Sequence, residues 1–110
     1  MFKSITALEL FPLWLKHEEG KSPYIIIDVR EENEYSAMHI ANSLHIPLAS
    51  IPKQTHRIPK DKTVYLICQG GIRSAKAAYW LVKNAHYTQL VNVEGGMTAW
   101  LQAGYPIKSL

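Results

Sequence analysis

The residues best suited to chemistry in this sequence form one short segment around its only cysteine. That segment runs Cys68, Gln69, Gly70, Gly71, Ile72, Arg73, Ser74. The apolar residues 63–67 precede the cysteine and predict a buried strand, while the apolar spacing of residues 72–83 predicts a helix. A thiol between a strand and a helix N-terminus lies where backbone N–H groups converge, and such groups favour a thiolate and can hold an anion. The segment therefore predicts a nucleophilic sulfur.

The two glycines and the arginine of this segment strengthen that prediction. Gly70 and Gly71 allow a tight turn in which backbone N–H groups point inward as an anion-binding nest. The positive end of the following helix and the guanidinium of Arg73 would both lower the pKa of the Cys68 thiol. Two simpler interpretations stay open, namely that Cys68 is a buried core residue and that Arg73 is a surface residue of the helix.

Composition limits the function classes. The chain has 110 residues, 47% hydrophobic and 19% charged, which predicts one domain spanning residues 1–110. A net charge of +3 is mild and fits a small anionic substrate or an acidic partner protein. The most basic stretch, residues 53–62, is interrupted by Pro59 and Asp61, so we expect no nucleic-acid partner.

The cysteine and histidine content argues against a disulfide framework and a metal site. One cysteine cannot form an internal disulfide, and the five histidines show no close-paired ligand spacing, so we predict no metal and no cofactor. The longest apolar run, residues 24–27, is far shorter than the roughly 20 residues that cross a bilayer. Because Glu9 and Pro12 interrupt the N-terminal apolar stretch, it is a poor signal peptide. We therefore predict a cytoplasmic protein, without a membrane partner, whose thiol is reduced.

Predicted strands and helices alternate along the chain, which indicates an α/β domain with a mostly parallel sheet. Strands are predicted at residues 2–5, 24–29, 43–46, 63–67 and 90–93, helices from Thr6, at 31–38, 72–83 and 97–102, and turns at 20–23 and 95–96. Thr6 and Glu9 predict a capping box, but Pro12 conflicts with a helix interior, so the first helix either kinks or starts later. Gly104 is expected to end the last helix. Asp28 and Cys68 both follow predicted strand ends and are expected to share one crevice.

Three segments, taken in order, resemble the rhodanese-like superfamily, and the chain is similar to its single-domain thiosulfate sulfurtransferases. The first segment is Ile27-Asp28-Val29-Arg30-Glu31 with Glu34-Tyr35, His39-Ile40 and Ile46-Pro47; the second is Cys68 with Arg73-Ser74; the third is Val93-Glu94-Gly95-Gly96-Met97 with Trp100 and Gly104-Tyr105-Pro106. The resemblance covers about residues 27–106. It implies a rhodanese-like fold, a five-stranded mostly parallel sheet with helices on both faces.

The resemblance also implies a reaction. Cys68 would attack the outer sulfur of thiosulfate, release sulfite and hold the transferred sulfur as a persulfide, which cyanide or a thiol would then accept. Residues 69–74 would supply the N–H donors, and Arg73 would bind the sulfonate of the donor. Related phosphatases place five residues between cysteine and arginine, whereas this chain has four, and the smaller loop favours sulfur over phosphate.

The other matched positions are given supporting roles. Asp28 would orient the loop or cap N–H groups at its strand end, and Arg30 and Glu34, four residues apart, are expected to form an ion pair. His39 is predicted to be a hydrogen-bonded structural residue, and Trp80 and Trp100 to be core anchors. The chain departs from the family pattern at Met38 and at Asn42-Ser43, which changes the geometry of a turn.

Three alternatives to a small-molecule sulfurtransferase stay open at this point. The same Cys68 could serve in a sulfur relay that takes a persulfide from another protein for tRNA thiolation or cofactor synthesis. A phosphatase is disfavoured by the loop length. A regulatory module without turnover is disfavoured because members of that class typically lose the cysteine.

Overall fold

The computed structural model describes residues 2–16 and 23–110. The strands in this part of the chain are β1 (Lys3–Thr6), β2 (Tyr24–Asp28), β3 (Leu44–His45), β4 (Thr63–Ile67) and β5 (Leu90–Glu94). The α-helices are α1 (Ala7–Lys16), α2 (Glu32–Ala37), α3 (Ile72–Ala85) and α4 (Gly96–Gln102), and two 3₁₀ segments lie at Leu48–Lys53 and Thr55–Arg57. No helix among these residues is long and apolar enough to cross a bilayer.

The five strands form one sheet in which every pairing is parallel. The strand order is β1-β5-β4-β2-β3, so β4 lies at the centre between β2 and β5. Asp28 pairs with Ile67 in the register between β2 and β4. The residues that follow both strands therefore meet at the carboxyl edge of the sheet, where parallel α/β sheets bind ligands.

Helices cover both faces of the sheet, which confirms the predicted architecture. Side chains alternate along each strand, so neighbouring residues enter opposite cores. The first core joins strand residues to α3 and includes Ile27, Val64, Leu66, Cys68, Ala77, Ala78 and Leu81. The second joins strand residues to α1 and α4 and includes Ile26, Ile67, Val93, Leu10, Met97 and Trp100. Trp100 is fully buried, as predicted for a core anchor, whereas Trp80 is half-buried at the edge of the first core.

The first helix begins where the capping box predicts. The Thr6 N–H donates to Glu9 Oε1 at 2.9 Å, and the Glu9 N–H donates to Thr6 Oγ1 at 3.2 Å. Pro12 lies inside α1. The alternative in which the helix starts later, with Pro12 in its first turn, is therefore wrong, because the reciprocal cap fixes the start at Ala7.

Several element boundaries differ from the predictions. The predicted strand at 43–46 pairs over only two residues, Leu44 and His45, although the Ile46 N–H still donates to the Asp28 carbonyl at the end of β2. The helix predicted at 31–38 spans Glu32–Ala37, and Met38 is extended. Gly104 has a φ of +76°, the left-handed conformation expected after the last helix. The predicted turn at 20–23 lies, except for its final residue, outside the described residues.

Candidate active site

Cys68 directly follows β4, and hydrogen-bond donors of the loop surround its sulfur. Only 1% of the residue is exposed. The Gly71 N–H donates to Sγ at 3.1 Å and the Ser74 N–H at 3.3 Å, while the Ser74 hydroxyl lies 3.2 Å from Sγ. Of the predicted donor loop, residues 69–74, Gly71 and Ser74 direct hydrogen-bond donors to the sulfur, whereas Gln69 and Arg73 direct their side chains to other partners.

This environment favours the thiolate. Burial opposes ionisation of Cys68, but hydrogen bonds from the Ser74 hydroxyl and from the N–H groups of Ser74, Gly71 and Gly70 outweigh it, so the pKa of Cys68 lies below its ordinary value. Because these donors belong to the backbone and to one rigidly held serine, the stabilisation needs no flexible charged side chain.

Gly71 gives the loop its shape. It caps the N-terminus of α3 with a φ of +102°, a conformation that glycine adopts at little cost. This left-handed turn directs the Gly71 N–H towards Cys68. The carbonyl of the same residue accepts a hydrogen bond from Asn92 Nδ2 at 3.2 Å, and Asn92 is 6% exposed. A buried side chain of β5 thus holds the carbonyl of the same residue whose N–H faces the sulfur.

The N-terminus of α4 packs against the other side of the loop. The Met97 N–H donates to the Cys68 carbonyl at 2.9 Å, and the Thr98 N–H donates to the Gln69 carbonyl at 3.0 Å. Gly96 makes this approach possible, since a Cβ there would collide with the Cys68 carbonyl and lie 2.7 Å from the Gln69 carbonyl oxygen. Gln69 directs its side-chain amide to Thr98 Oγ1 at 3.0 Å, away from the sulfur.

Asp28 contacts the loop through a buried arginine. Arg30 Nη2 and Asp28 Oδ2 form an ion pair of 2.8 Å, with both side chains almost completely buried. Arg30 also donates to the Met38 carbonyl at 2.7 Å and, at the longer distance of 3.4 Å, to Gln69 Oε1. Of the two roles predicted for Asp28, the capping of a strand-end N–H is present, since the Arg30 N–H donates to Asp28 Oδ1 at 3.0 Å. Orientation of the loop would act through the Arg30 side chain rather than by a direct bond from Asp28.

The predicted ion pair between Arg30 and Glu34 is wrong. Arg30 lies before α2 begins, so four-residue spacing does not place the two side chains on one helical face. Glu34 instead accepts two hydrogen bonds from Arg73, Nη1 to Oε1 at 2.7 Å and Nη2 to Oε2 at 2.9 Å. The Arg73 guanidinium holds the pKa of Glu34 at about 2, well below its usual range.

The outer rim of the loop is open. Ile72 is 71% exposed, and a Cβ at the exposed Gly70 would meet no described residue within 4 Å other than its neighbours in the chain. The rim therefore approaches solvent even though the sulfur beneath it is covered.

The Rhodanese-like domain family matches residues 11–103. The chain belongs to the rhodanese-like domain family. It is 40% identical over 89 residues to the uncharacterized protein YqhL of Bacillus subtilis, covering 78% of this chain and 70% of that protein. It is 32% identical over 100 residues to the thiosulfate sulfurtransferase GlpE of Coxiella burnetii, covering 91% of this chain and 88% of that protein.

A solved rhodanese-like structure agrees with this assignment. The crystal structure of a rhodanese-like domain protein from Staphylococcus aureus has a TM-score of 0.81 and 40% identity, and the match covers 98% of this chain and all of that chain. Both the fold and the family expected from the three sequence segments are therefore confirmed.

The positions where this chain departs from the rhodanese-like pattern have defined backbone conformations and contacts. Asn42 has a φ of 69°, a left-handed conformation that asparagine tolerates better than most residues. Met38 contributes its carbonyl to Arg30, a contact that involves only the backbone at that position. His39 Nδ1 lies 2.7 Å from the Tyr35 carbonyl oxygen, and the two rings stack, as a structural histidine would.

Sequence reasoning missed three contributors to this rhodanese-like site, Glu34, Asn92 and Gly96. Gly96 belongs to the third family segment and to a predicted turn, and the pair of glycines before a helix is the available signal for a close backbone approach. The available signal for Asn92 is a polar residue in an otherwise apolar strand. In residues 2–16 and 23–110, no group of three or more histidine, cysteine, aspartate or glutamate side chains could hold a metal ion.

Proposed function

We propose that this protein is a sulfurtransferase that carries a sulfane sulfur as a persulfide on Cys68. One observation carries the proposal: the sulfur lies in a ring of donors formed by the N–H groups of Gly71 and Ser74 and the Ser74 hydroxyl. Such a ring stabilises the attacking thiolate and would stabilise the negative terminal sulfur of a persulfide in the same place.

The reaction has two balanced steps. The Cys68 thiolate attacks the outer sulfur of thiosulfate, an S–S bond forms on Cys68 as the donor S–S bond breaks, and sulfite leaves with the electron pair. Cyanide or a thiolate then attacks the terminal sulfur of the persulfide, and Cys68 leaves as the thiolate. No proton or external oxidant is needed for transfer from thiosulfate to cyanide.

The family relationship supports the reaction class. GlpE of Coxiella burnetii, a relative across most of this chain, is named a thiosulfate sulfurtransferase. Thiosulfate is therefore our proposed donor, with cyanide or a cellular thiol as acceptor. A relay role would use the same persulfide and would differ in having a protein as donor or acceptor.

Intact mass after incubation with thiosulfate tests the proposal. We expect a gain of one sulfur, about 32 Da, that cyanide reverses. Cys68→Ser should abolish the gain, because its hydroxyl cannot form a persulfide, while circular dichroism shows that the fold is retained. Hydrolysis of an aryl phosphate without sulfur loading would instead favour a phosphatase and contradict the proposal.

A further inference from the structure

Glu34 is held at the edge of the active loop by donors from two directions. Its Oε1 accepts from the Glu31 N–H at 2.9 Å, and its two oxygens accept from the two terminal nitrogens of Arg73. The paired side chains are only 27% and 33% exposed, for Glu34 and Arg73 respectively. Glu34 is thus a fixed carboxylate, not a mobile surface group.

The pairing with Glu34 limits the ability of Arg73 to bind an anionic sulfur donor. Arg73 lies in the first turn of α3, directly before Ser74, which donates to the sulfur. A guanidinium binds a sulfonate best through the same paired N–H groups that Glu34 already occupies. Arg30, the other arginine beside the loop, is neutralised by Asp28. An anionic donor therefore meets two arginines whose charges are already balanced by carboxylates.

We propose that Glu34 determines which sulfur donor the protein prefers. Because it occupies the Arg73 guanidinium, it disfavours doubly charged donors such as thiosulfate relative to persulfides of zero net charge. The inference rests on the proposed sulfur transfer to Cys68. Glu34 would influence only which sulfur compound loads Cys68, while the hydrogen-bond donors to the Cys68 sulfur stay unchanged.

Glu34→Gln is the most direct variant. It removes the charge, while the glutamine oxygen can still accept from the Glu31 N–H, so the N-terminus of α2 keeps its cap. Glu32→Gln is the matched control, because Glu32 is an exposed residue of the same helix and the same charge is removed without contact with Arg73. Glu34→Ala provides a second removal of the charge should the glutamine variant fold poorly.

The measurement is the second-order rate of sulfur loading on Cys68, followed by quenched-flow intact mass. The probes are thiosulfate, a dianion, and cysteamine persulfide, whose ammonium balances its persulfide charge. We expect Glu34→Gln to raise the thiosulfate-to-persulfide rate ratio about two- to fivefold, the effect of one charge at a partly exposed site. High salt should shrink the gain, and adding Arg73→Ala should cancel it.

The outcomes separate this inference from the proposed function. An unchanged ratio, or equal changes with both donors, would show that Glu34 only ties α2 to α3 and would overturn the inference. A similar rise in Glu32→Gln would also overturn it, because the effect would then be general. Failure of both donors to load the parent protein would instead overturn the proposed function itself, and the inference with it.

Discussion

Among single residues, Ser74 contributes most to keeping the Cys68 sulfur ionised, because two of its groups contact that sulfur. It is fully buried and places both its hydroxyl and its N–H on Cys68. Asn92 acts one step further away, through the Gly71 carbonyl, and its own Oδ1 accepts no hydrogen bond from the residues that the structure describes.

Ser74→Ala should raise the pKa of the Cys68 thiol, because it removes a hydrogen bond to the thiolate, a contact typically worth about 1 kcal/mol. The rate of alkylation by iodoacetamide rises with pH as the thiolate forms, so its midpoint reports this pKa. In the parent protein the midpoint should lie below the ordinary value of a cysteine.

Ser36→Ala is the control for this measurement, since the Ser36 hydroxyl donates to the Glu32 carbonyl within α2 and does not contact the loop. Its alkylation midpoint should match that of the parent protein. An unshifted midpoint in Ser74→Ala would show that the backbone donors alone set the ionisation of Cys68.

At the scale of elements, the active loop is held between the ends of two helices. α3 begins on one side of the loop and supplies the Ser74 N–H. On the other side, the first turn of α4 donates to the carbonyls of Cys68 and Gln69. The loop N–H groups face the sulfur because its carbonyls are occupied on the opposite side. The close approach of α4 is therefore part of what orients the donors.

Gly96→Ala should destabilise the protein by about 2 kcal/mol or more and slow sulfur loading, because the new Cβ would meet the backbone of the loop. Gly104→Ala is the matched control: Gly104 also has positive φ, but open space surrounds its Cβ position. It should cost only about 1 kcal/mol and leave loading unchanged. Urea denaturation measures the stabilities, and equal losses in the two variants would contradict the close approach.

The elements that could be predicted from sequence are those specified by local patterns. The apolar run of β4 and the helical spacing of α3 predict a strand, a loop and a helix in the right order, and the glycines between them predict a ring of N–H donors. The pairing of Glu34 with Arg73 could not be predicted, because 39 residues separate them along the chain. Four-residue spacing misassigned Arg30, since that rule applies only where both residues lie on one helix.

At the scale of the whole molecule, the sheet separates two hydrophobic cores. Cys68 and α3 belong to one core, and α1 contributes to the other. The cluster around Trp100 stiffens this second core, where the Phe11 and Tyr105 rings stack with centroids 3.9 Å apart. Mutations on the face of the sheet that α1 covers should therefore change the stability of the protein without changing the ionisation of Cys68.

Leu10→Ala should lower the free energy of unfolding by about 2–4 kcal/mol, because Leu10 is fully buried against that second core. The alkylation midpoint of Cys68 should stay unchanged, since the donors around the sulfur lie elsewhere. Leu8→Ala, on the same helix but 67% exposed, should change stability little. A shifted midpoint in Leu10→Ala would show that the two cores are coupled.

The presence of one cysteine in the chain has a consequence for oxidative damage. Hydrogen peroxide converts thiolates to sulfenic acids, which in many proteins are trapped as disulfides by a neighbouring cysteine. These 110 residues contain no second cysteine, so Cys68 has no such partner within the chain. Its repair would depend on a reductant supplied from outside, small enough to reach a sulfur that the loop almost completely covers.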